Sequence, residues 1–220
     1  MDEAFGRRVT RLGALADPVR RALYRFVAEQ PGAVSRDQAA SGVEVPRHTA
    51  KFHLDRLVEE GLLVTEFRRL TGRTGPGAGR PAKLYRRSGR EVAVSVPSRR
   101  YDLAGQVLAD AVERNLAGVP MPEALAEAAD GAARAVVEER PTAAGGLVEA
   151  LAPLGYEPRE TDGEICLGNC PFDRLAADHR DLVCGVNHAF VSALARRSGR
   201  PDLAVESVPP GRGCCVRLLL

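Results

Sequence analysis

Apolar residues in the first hundred positions recur at intervals of three and four, then switch to short extended runs. Ala4, Val9, Leu12 and Leu15 fall at roughly helical spacing. Asp17-Pro18 reads as an N-cap followed by proline at the first helical position. Ala22, Leu23, Phe26 and Val27 then form one apolar stripe, on a helix reaching about Gln30 and stopped by Pro31-Gly32. Ser35-Arg36-Asp37-Gln38 fits a capping box and predicts a short second helix to about Ser41, broken by Gly42. A third helix is expected from Pro46 to Glu60, with Ala50, Leu54, Leu57 and Val58 as its buried stripe and Gly61 as its cap. Leu62 to Arg69 and Lys83 to Ser88 predict two strands around a Gly-rich tip at 71–81.

From Tyr101 the period is helical again, over 101–117, 122–140 and 145–154, punctuated by Pro120, Pro122, Pro141 and Gly145-Gly146. The remainder predicts a strand from Gly163 to Gly168 and helices at 172–178 and 181–197. Leu203 to Val208 and Cys214 to Leu219 would form a closing hairpin around Pro209-Pro210-Gly211. The expected fold class is α+β in three domains. These are a winged helix-turn-helix over 1–100, a helical dimerisation region over 101–155 and a small cysteine-rich α/β sensor domain over 156–220. Leu103, Val107, Leu108, Ala111 and Leu116 give helix 101–117 more apolar surface than one thin domain face needs, which points to a homodimer.

Charge sharpens the division. The net charge of +2 combines an excess of nine positive charges in residues 1–100 with an excess of seven negative charges in 101–220. The first half is therefore expected to meet a polyanion. An apolar fraction of 45% supports ordinary cores, and no apolar run approaches membrane-spanning length. The chain opens without an apolar targeting segment, so a cytoplasmic protein with reduced thiols is expected.

Helix, short helix, turn, third helix and basic hairpin is the order of a winged helix that binds double-stranded DNA. With Ala50, Leu54 and Leu57 inward, the open side of the third helix carries Arg47, His48, Thr49, Lys51, Phe52 and Arg56. Arg47 and His48 lie in the first turn, where base edges are met; Lys51 and Arg56 suit phosphates. The wing would offer Arg68, Arg69, Arg80 and Lys83, with Arg73 in its tip. His53 reads as a packed histidine bonded to backbone. The segments Leu15-Ala-Asp-Pro-Val-Arg-Arg-Ala-Leu23, His48-Thr-Ala-Lys-Phe-His-Leu-Asp-Arg-Leu-Val-Glu-Glu-Gly-Leu62 and Gly79-Arg-Pro-Ala-Lys-Leu-Tyr85 resemble ArsR-type winged-helix repressors over residues 10–90. That resemblance implies the fold and DNA binding.

All five cysteines, Cys166, Cys170, Cys184, Cys214 and Cys215, lie in the last 55 residues. An odd number of reduced thiols fits a metal or redox site better than a disulfide framework. Cys170, Cys184 and the Cys214-Cys215 pair sit on three separate elements able to converge. Such thiolates suit an iron–sulfur cluster, [4Fe-4S] or [2Fe-2S], and the same ligands could bind Zn²⁺; spacing does not choose between them, although the lack of a Cys-x2-Cys knuckle lowers a structural zinc site. His188, four residues after Cys184, shares its helix face and reads as packed or solvent-facing. The block Asn169-Cys-Pro-Phe-Asp-Arg-Leu-Ala-Ala-Asp-His-Arg-Asp-Leu-Val-Cys-Gly-Val-Asn187, with the terminal Cys-Cys, is similar to the SufR branch of these repressors. SufR proteins carry an iron–sulfur cluster and repress cluster-assembly genes. The resemblance implies Cys170, Cys184 and one of Cys214 or Cys215 as ligands, with Cys166 a departure from the pattern. On a strand the adjacent pair would face opposite ways, and Arg217 on the side of Cys215 favours Cys215.

The chain is therefore expected to be a homodimeric winged-helix repressor with a cysteine-ligated cluster, and not an enzyme. Two rivals remain: a regulator with structural zinc and another effector, and an enzyme pairing Cys184 with His179 or His188. The latter lacks a third orienting group.

Overall fold

Local capping chemistry positions the helices of the first half. In a computed structural model, which describes residues 3–69, 81–139, 146–161, 163–209 and 213–220, Asp17 accepts a 2.8 Å bond from the Arg20 amide. It thereby caps α2 (Pro18–Glu29), which follows α1 (Glu3–Gly13) and a single 3-10 turn at Ala14–Ala16. The capping box forms in both directions: the Gln38 amide donates to Ser35 Oγ at 3.2 Å, and the Ser35 amide donates to Gln38 Oε1 at 2.8 Å. It opens α3 (Arg36–Gly42). Gly42 ends this helix without breaking it. A Cβ there would lie 2.0 Å from Phe26 Cε2, so only glycine lets α3 settle on α2. The third expected helix is α4 (Arg47–Glu59).

β2 (Leu63–Arg68) and β3 (Ala82–Arg87) pair antiparallel from Leu63↔Arg87 to Arg68↔Ala82. A short strand that the pattern did not predict, β1 (Val34–Ser35), adds to the other edge of β3. Leu23, Val27, Ala39, Ala50, Leu54, Leu57, Leu63 and Tyr85 fill one core beneath the helices, with Val58 partly buried at its margin. Most of the Gly-rich tip, including Arg73 and Arg80, lies outside the described residues.

The second unit begins at Ser95, not after residue 100. It contains α5 (Tyr101–Leu116), α6 (Met121–Glu139), α7 (Gly146–Leu151), α8 (Asp173–Asp178) and α9 (Arg180–Arg197). Its four strands are β4 (Pro158–Thr161), β5 (Glu164–Leu167), β6 (Ala204–Ser207) and β7 (Val216–Leu219), in the all-antiparallel order β4-β5-β7-β6. α6 packs against both α5 and α9. It presents Ala124, Ala128, Ala129 and Ala133, small residues that let helices approach closely. One continuous core joins Leu103 and Val107 of α5 to Phe190 and Leu194 of α9 and to Ile165 and Leu218 of the sheet. The division expected at 155/156 is therefore absent, because helices and sheet are two layers over one core.

The same packing corrects the reading of α5. Leu103, Val107 and Ala111 are buried within their own unit and Leu108 is partly buried, so they are not surplus. The large apolar residues that α5 does expose are Tyr101, Val112 and Leu116, the last 82% accessible, with Met121 nearby in sequence at the start of α6.

Candidate nucleic-acid interface and thiolate site

In the first unit, burial of Ala50, Leu54 and Leu57 turns the other side of α4 outward. Arg47, His48, Lys51, Phe52 and Arg56 are exposed and Thr49 is half-buried. Most of the cations already hold a carboxylate. Arg47 Nε meets Asp37 of α3 at 2.5 Å, and Arg56 reaches Glu59 and Glu60 at 3.2 and 2.5 Å. Arg68 lies 4.0 Å from Glu66, and Arg69 is exposed beside it. Exposed pairs of this kind are worth little, so phosphate can replace the carboxylate at small cost.

Asp55 is the organiser that the pattern did not single out. Its carboxylate takes Lys51 at 3.2 Å, Lys83 at 2.7 Å and the Tyr85 hydroxyl at 3.0 Å, tying α4 to the wing. Partial burial raises its pKa, but the bonds from Lys83, Tyr85 and Lys51 outweigh this and hold it below the ordinary value. Burial and the Asp55 charge together push the Tyr85 phenol up. The signal was present in sequence as Lys51 and Asp55 at i and i+4. Phe67, on the wing and 67% exposed, was also missed. His53 is not backbone-bonded: its Nδ1 accepts from Arg20 Nε at 3.4 Å, and its ring meets Phe52 edge-on.

In the second unit, four sulfurs converge. A cavity of about 220 Å³ is lined by Cys170, Cys184, Cys214 and Cys215, with Asp173, Arg174 and Arg180 at its wall. Cys170 precedes α8, Cys184 lies in the second turn of α9, and Cys214 and Cys215 come just before β7. This last placement corrects the strand argument. The pair lies outside the strand, after Gly213 at φ +113°, so alternation does not separate them and both line the cavity. Arg217 does not mark the side of Cys215 either. It pairs across the sheet with Cys166 and binds Glu206 at 3.0 Å and Glu164 at 3.5 Å. Cys166 donates to Glu164 Oε1 at 3.1 Å, is not part of the cavity lining, and is raised in pKa by that carboxylate. His188 Nε2 is engaged by the Val205 carbonyl at 2.9 Å, and His179 joins α8 to α9.

The sulfurs interact in series. Hydrogen bonding of Cys214 with its neighbours Cys170 and Cys215, together with burial, pushes its own thiol far up. The bond from Cys214 lowers Cys170. Hydrogen bonding with Cys214, against the cost of burial and with help from Cys184 and Asn187, draws Cys215 down to about 5. Burial, then the bond to Cys215, lifts Cys184 to about 12. Along the wall, Cys170 and Cys215 are thus lowered while Cys214 and Cys184 are raised, each by its sulfur neighbours and by burial. Behind them Asn187, fully buried, donates to Cys214 Sγ at 3.1 Å and to Cys215 Sγ at 3.8 Å. The buried Tyr156 hydroxyl donates to Asn187 Oδ1 at 2.6 Å. Asn187 follows Cys184 by three positions, so its shared helix face was legible; the contribution of Tyr156 was not.

Among the described residues, no three His, Cys, Asp or Glu side chains are gathered tightly enough to hold a single metal ion. Four sulfur donors line one cavity, and soft sulfur suits the irons of an iron–sulfur cluster and Zn²⁺ alike.

Comparison with known proteins is informative for the first unit. Residues 15–66, from the turn before α2 into β2, match the helix-turn-helix domain family. The chain thus carries a helix-turn-helix domain, which supports a DNA-binding transcriptional regulator. No curated protein matches the chain. Among solved structures, human N-acetylserotonin methyltransferase in complex with SAM matches at 22% identity and a TM-score of 0.23. That match covers 70% of this chain and 55% of that one, so this chain spans about half of that structure's length. The likeness is to an enzyme, and the expectation that the chain is not one is withdrawn. At such a TM-score the match carries no argument for methyl transfer. Among the described residues no helix is long and apolar enough to cross a membrane.

Proposed function

We propose that this chain is an ArsR-type repressor of the SufR branch, a homodimer whose affinity for operator DNA responds to an iron–sulfur cluster held by Cys170, Cys184, Cys215 and Cys214. The observation that carries the reading is the convergence of these four cysteines, from three separate segments, on one cavity of about 220 Å³. Bound there, the cluster supplies one-electron redox chemistry and sensitivity to oxidants.

The chain's own residues do the rest. α4 enters the major groove, with Arg47 and His48 at base edges and Lys51 and Arg56 at phosphates. Arg68, Arg69 and Lys83, with Arg80, are proposed to meet the backbone or the minor groove. Asp55 holds Lys51 and Lys83 in register for neighbouring phosphates. Asn187 orients the Cys214-Cys215 pair, and Arg174 and Arg180 offset thiolate charge at the wall. Val112, Leu116 and Met121 supply apolar surface for a twofold contact. That contact sets two recognition helices about 34 Å apart. Cluster-assembly genes are the proposed targets.

Single serine variants purified without oxygen test the site through iron content and visible absorption. The reading expects brown wild-type protein, full iron in Cys166→Ser, and loss of iron in Cys170→Ser and Cys184→Ser. Colourless wild-type protein containing stoichiometric zinc would overturn it.

A further inference from the structure

The segment just before α5 is fastened to the residues around Cys170. Residues 95–100 form no helix or strand and follow directly from the end of the DNA-reading unit at Val94. Arg99 is only 17% exposed at its side chain. Its Nη1 donates to Asn169 Oδ1 at 2.5 Å and to the Cys170 carbonyl at 3.2 Å, and its Nη2 meets Asp173 Oδ2 at 3.4 Å. The Asn169 amide donates back to the Ser98 carbonyl at 2.9 Å and to the Gly155 carbonyl at 2.5 Å. The Arg100 amide donates to the Pro171 carbonyl at 3.0 Å. Gly155 completes the fastening: at φ +87°, a Cβ there would lie 2.9 Å from Ser98 Cβ.

Three consecutive residues centred on a cavity cysteine therefore bond to three consecutive residues of the connecting segment. We infer that Arg99 and Asn169 are positioning residues that couple the state of the thiolate site to the connection leading out of the DNA-reading unit. The inference rests on the regulator reading above. A rearrangement of Cys170 has to carry residues 98–100 with it or break charge-assisted bonds of the stronger kind. Coupling between two sites requires an element whose arrangement both sites bias, and this clamp is such an element at the sensor end. Arg99 suits the task because its planar fork reaches a side-chain oxygen, a backbone carbonyl and a carboxylate together, which a lysine cannot do.

Two measurements on the full chain test this. Hydrogen exchange of a peptide spanning 95–104 is followed in cluster-loaded and cluster-free protein. Affinity is measured in both states for a labelled duplex selected from a random-sequence library with the wild-type protein. In wild type, cluster loss speeds exchange in 95–104 and changes affinity. In Arg99→Ala the iron content stays at the wild-type level, exchange is fast in both states, and the loaded-to-free affinity ratio falls to about one. Arg99→Lys and Asn169→Ser serve as second variants should Arg99→Ala fail to fold, with the same outcome expected.

An Arg99→Ala protein that keeps the wild-type affinity ratio and the wild-type exchange difference overturns the inference while leaving the regulator reading intact. Loss of iron in all three variants also overturns it, since the clamp would then build the site and transmit nothing. Wild-type protein without iron, or with equal affinity in both states, brings down the regulator reading itself.

Discussion

Tyr156→Phe isolates the polar network behind the thiolate site. The substitution keeps the ring and its edge-to-face contact with Phe172, at a centroid distance of 6.4 Å. It removes only the hydroxyl that donates to Asn187 Oδ1. Both residues are fully buried, so water cannot replace the donor and an orphaned amide oxygen remains. Leaving such an acceptor unsatisfied costs about 1–3 kcal/mol. With a urea m-value of about 2 kcal/mol/M, the unfolding midpoint of the second unit should fall by about 1 M. Asn187→Leu alone should be destabilising as well, because it strands the phenol. The double variant replaces both partners with apolar groups and should recover part of the loss, giving a coupling of about 1 kcal/mol or more. Circular dichroism of metal-free protein in reductant provides the assay, so cluster content does not enter. A loss below about 0.5 kcal/mol for Tyr156→Phe, the range of an ordinary surface change, would refute the reasoning.

Four further outcomes concern the first unit. Asp55 has a folded pKa below its ordinary 3.8, so its stabilisation is fully present above that value and is lost as pH falls through the folded pKa. The stability difference between wild type and Asp55→Asn should therefore rise with pH from the strongly acidic range to about pH 4 and then stay flat; a difference independent of pH would contradict this. Gly42→Ala drives a methyl into the Phe26 ring and should cost about 1–3 kcal/mol in thermal or urea unfolding, with Phe26→Leu restoring part of it; a neutral Gly42→Ala removes the packing argument. Lys51→Ala should lower the slope of log affinity against log salt by about one and weaken binding on all sequences. Arg47→Ala should instead weaken selected DNA more than random DNA, and equal losses would take Arg47 out of base readout.

What could be read from the chain depended on how local the cause was. Asp17, the Ser35–Gln38 box and the Ala50–Leu54–Leu57 stripe act within one helix, and each marks the element found. β4 escaped notice because its residues Pro158 to Thr161 have no buried side chain. It is held to β5 by backbone pairing, which leaves no hydrophobic pattern. The convergence of Cys170, Cys184, Cys214 and Cys215 was foreseeable from their spread over three segments. The orientation of the adjacent pair was not, because it depends on where β7 starts relative to Gly213. Arg99 and Asn169 lie seventy positions apart, and only tertiary structure brings them together. Of the apolar residues of α5 read as surplus, Leu103, Val107, Leu108 and Ala111 are covered within their own unit and Leu116 is not, since periodicity cannot say whether α6 or a second copy covers each one.

The central claim is that occupancy of the thiolate site governs DNA affinity. Its most direct test is the affinity of one anaerobic wild-type preparation for the same selected duplex before and after the cluster is removed, at fixed salt. The account predicts a change of about fivefold or more, equivalent to a coupling of at least about 1 kcal/mol. Identical affinities in the two states, with iron demonstrably present in the first and absent in the second, would contradict it.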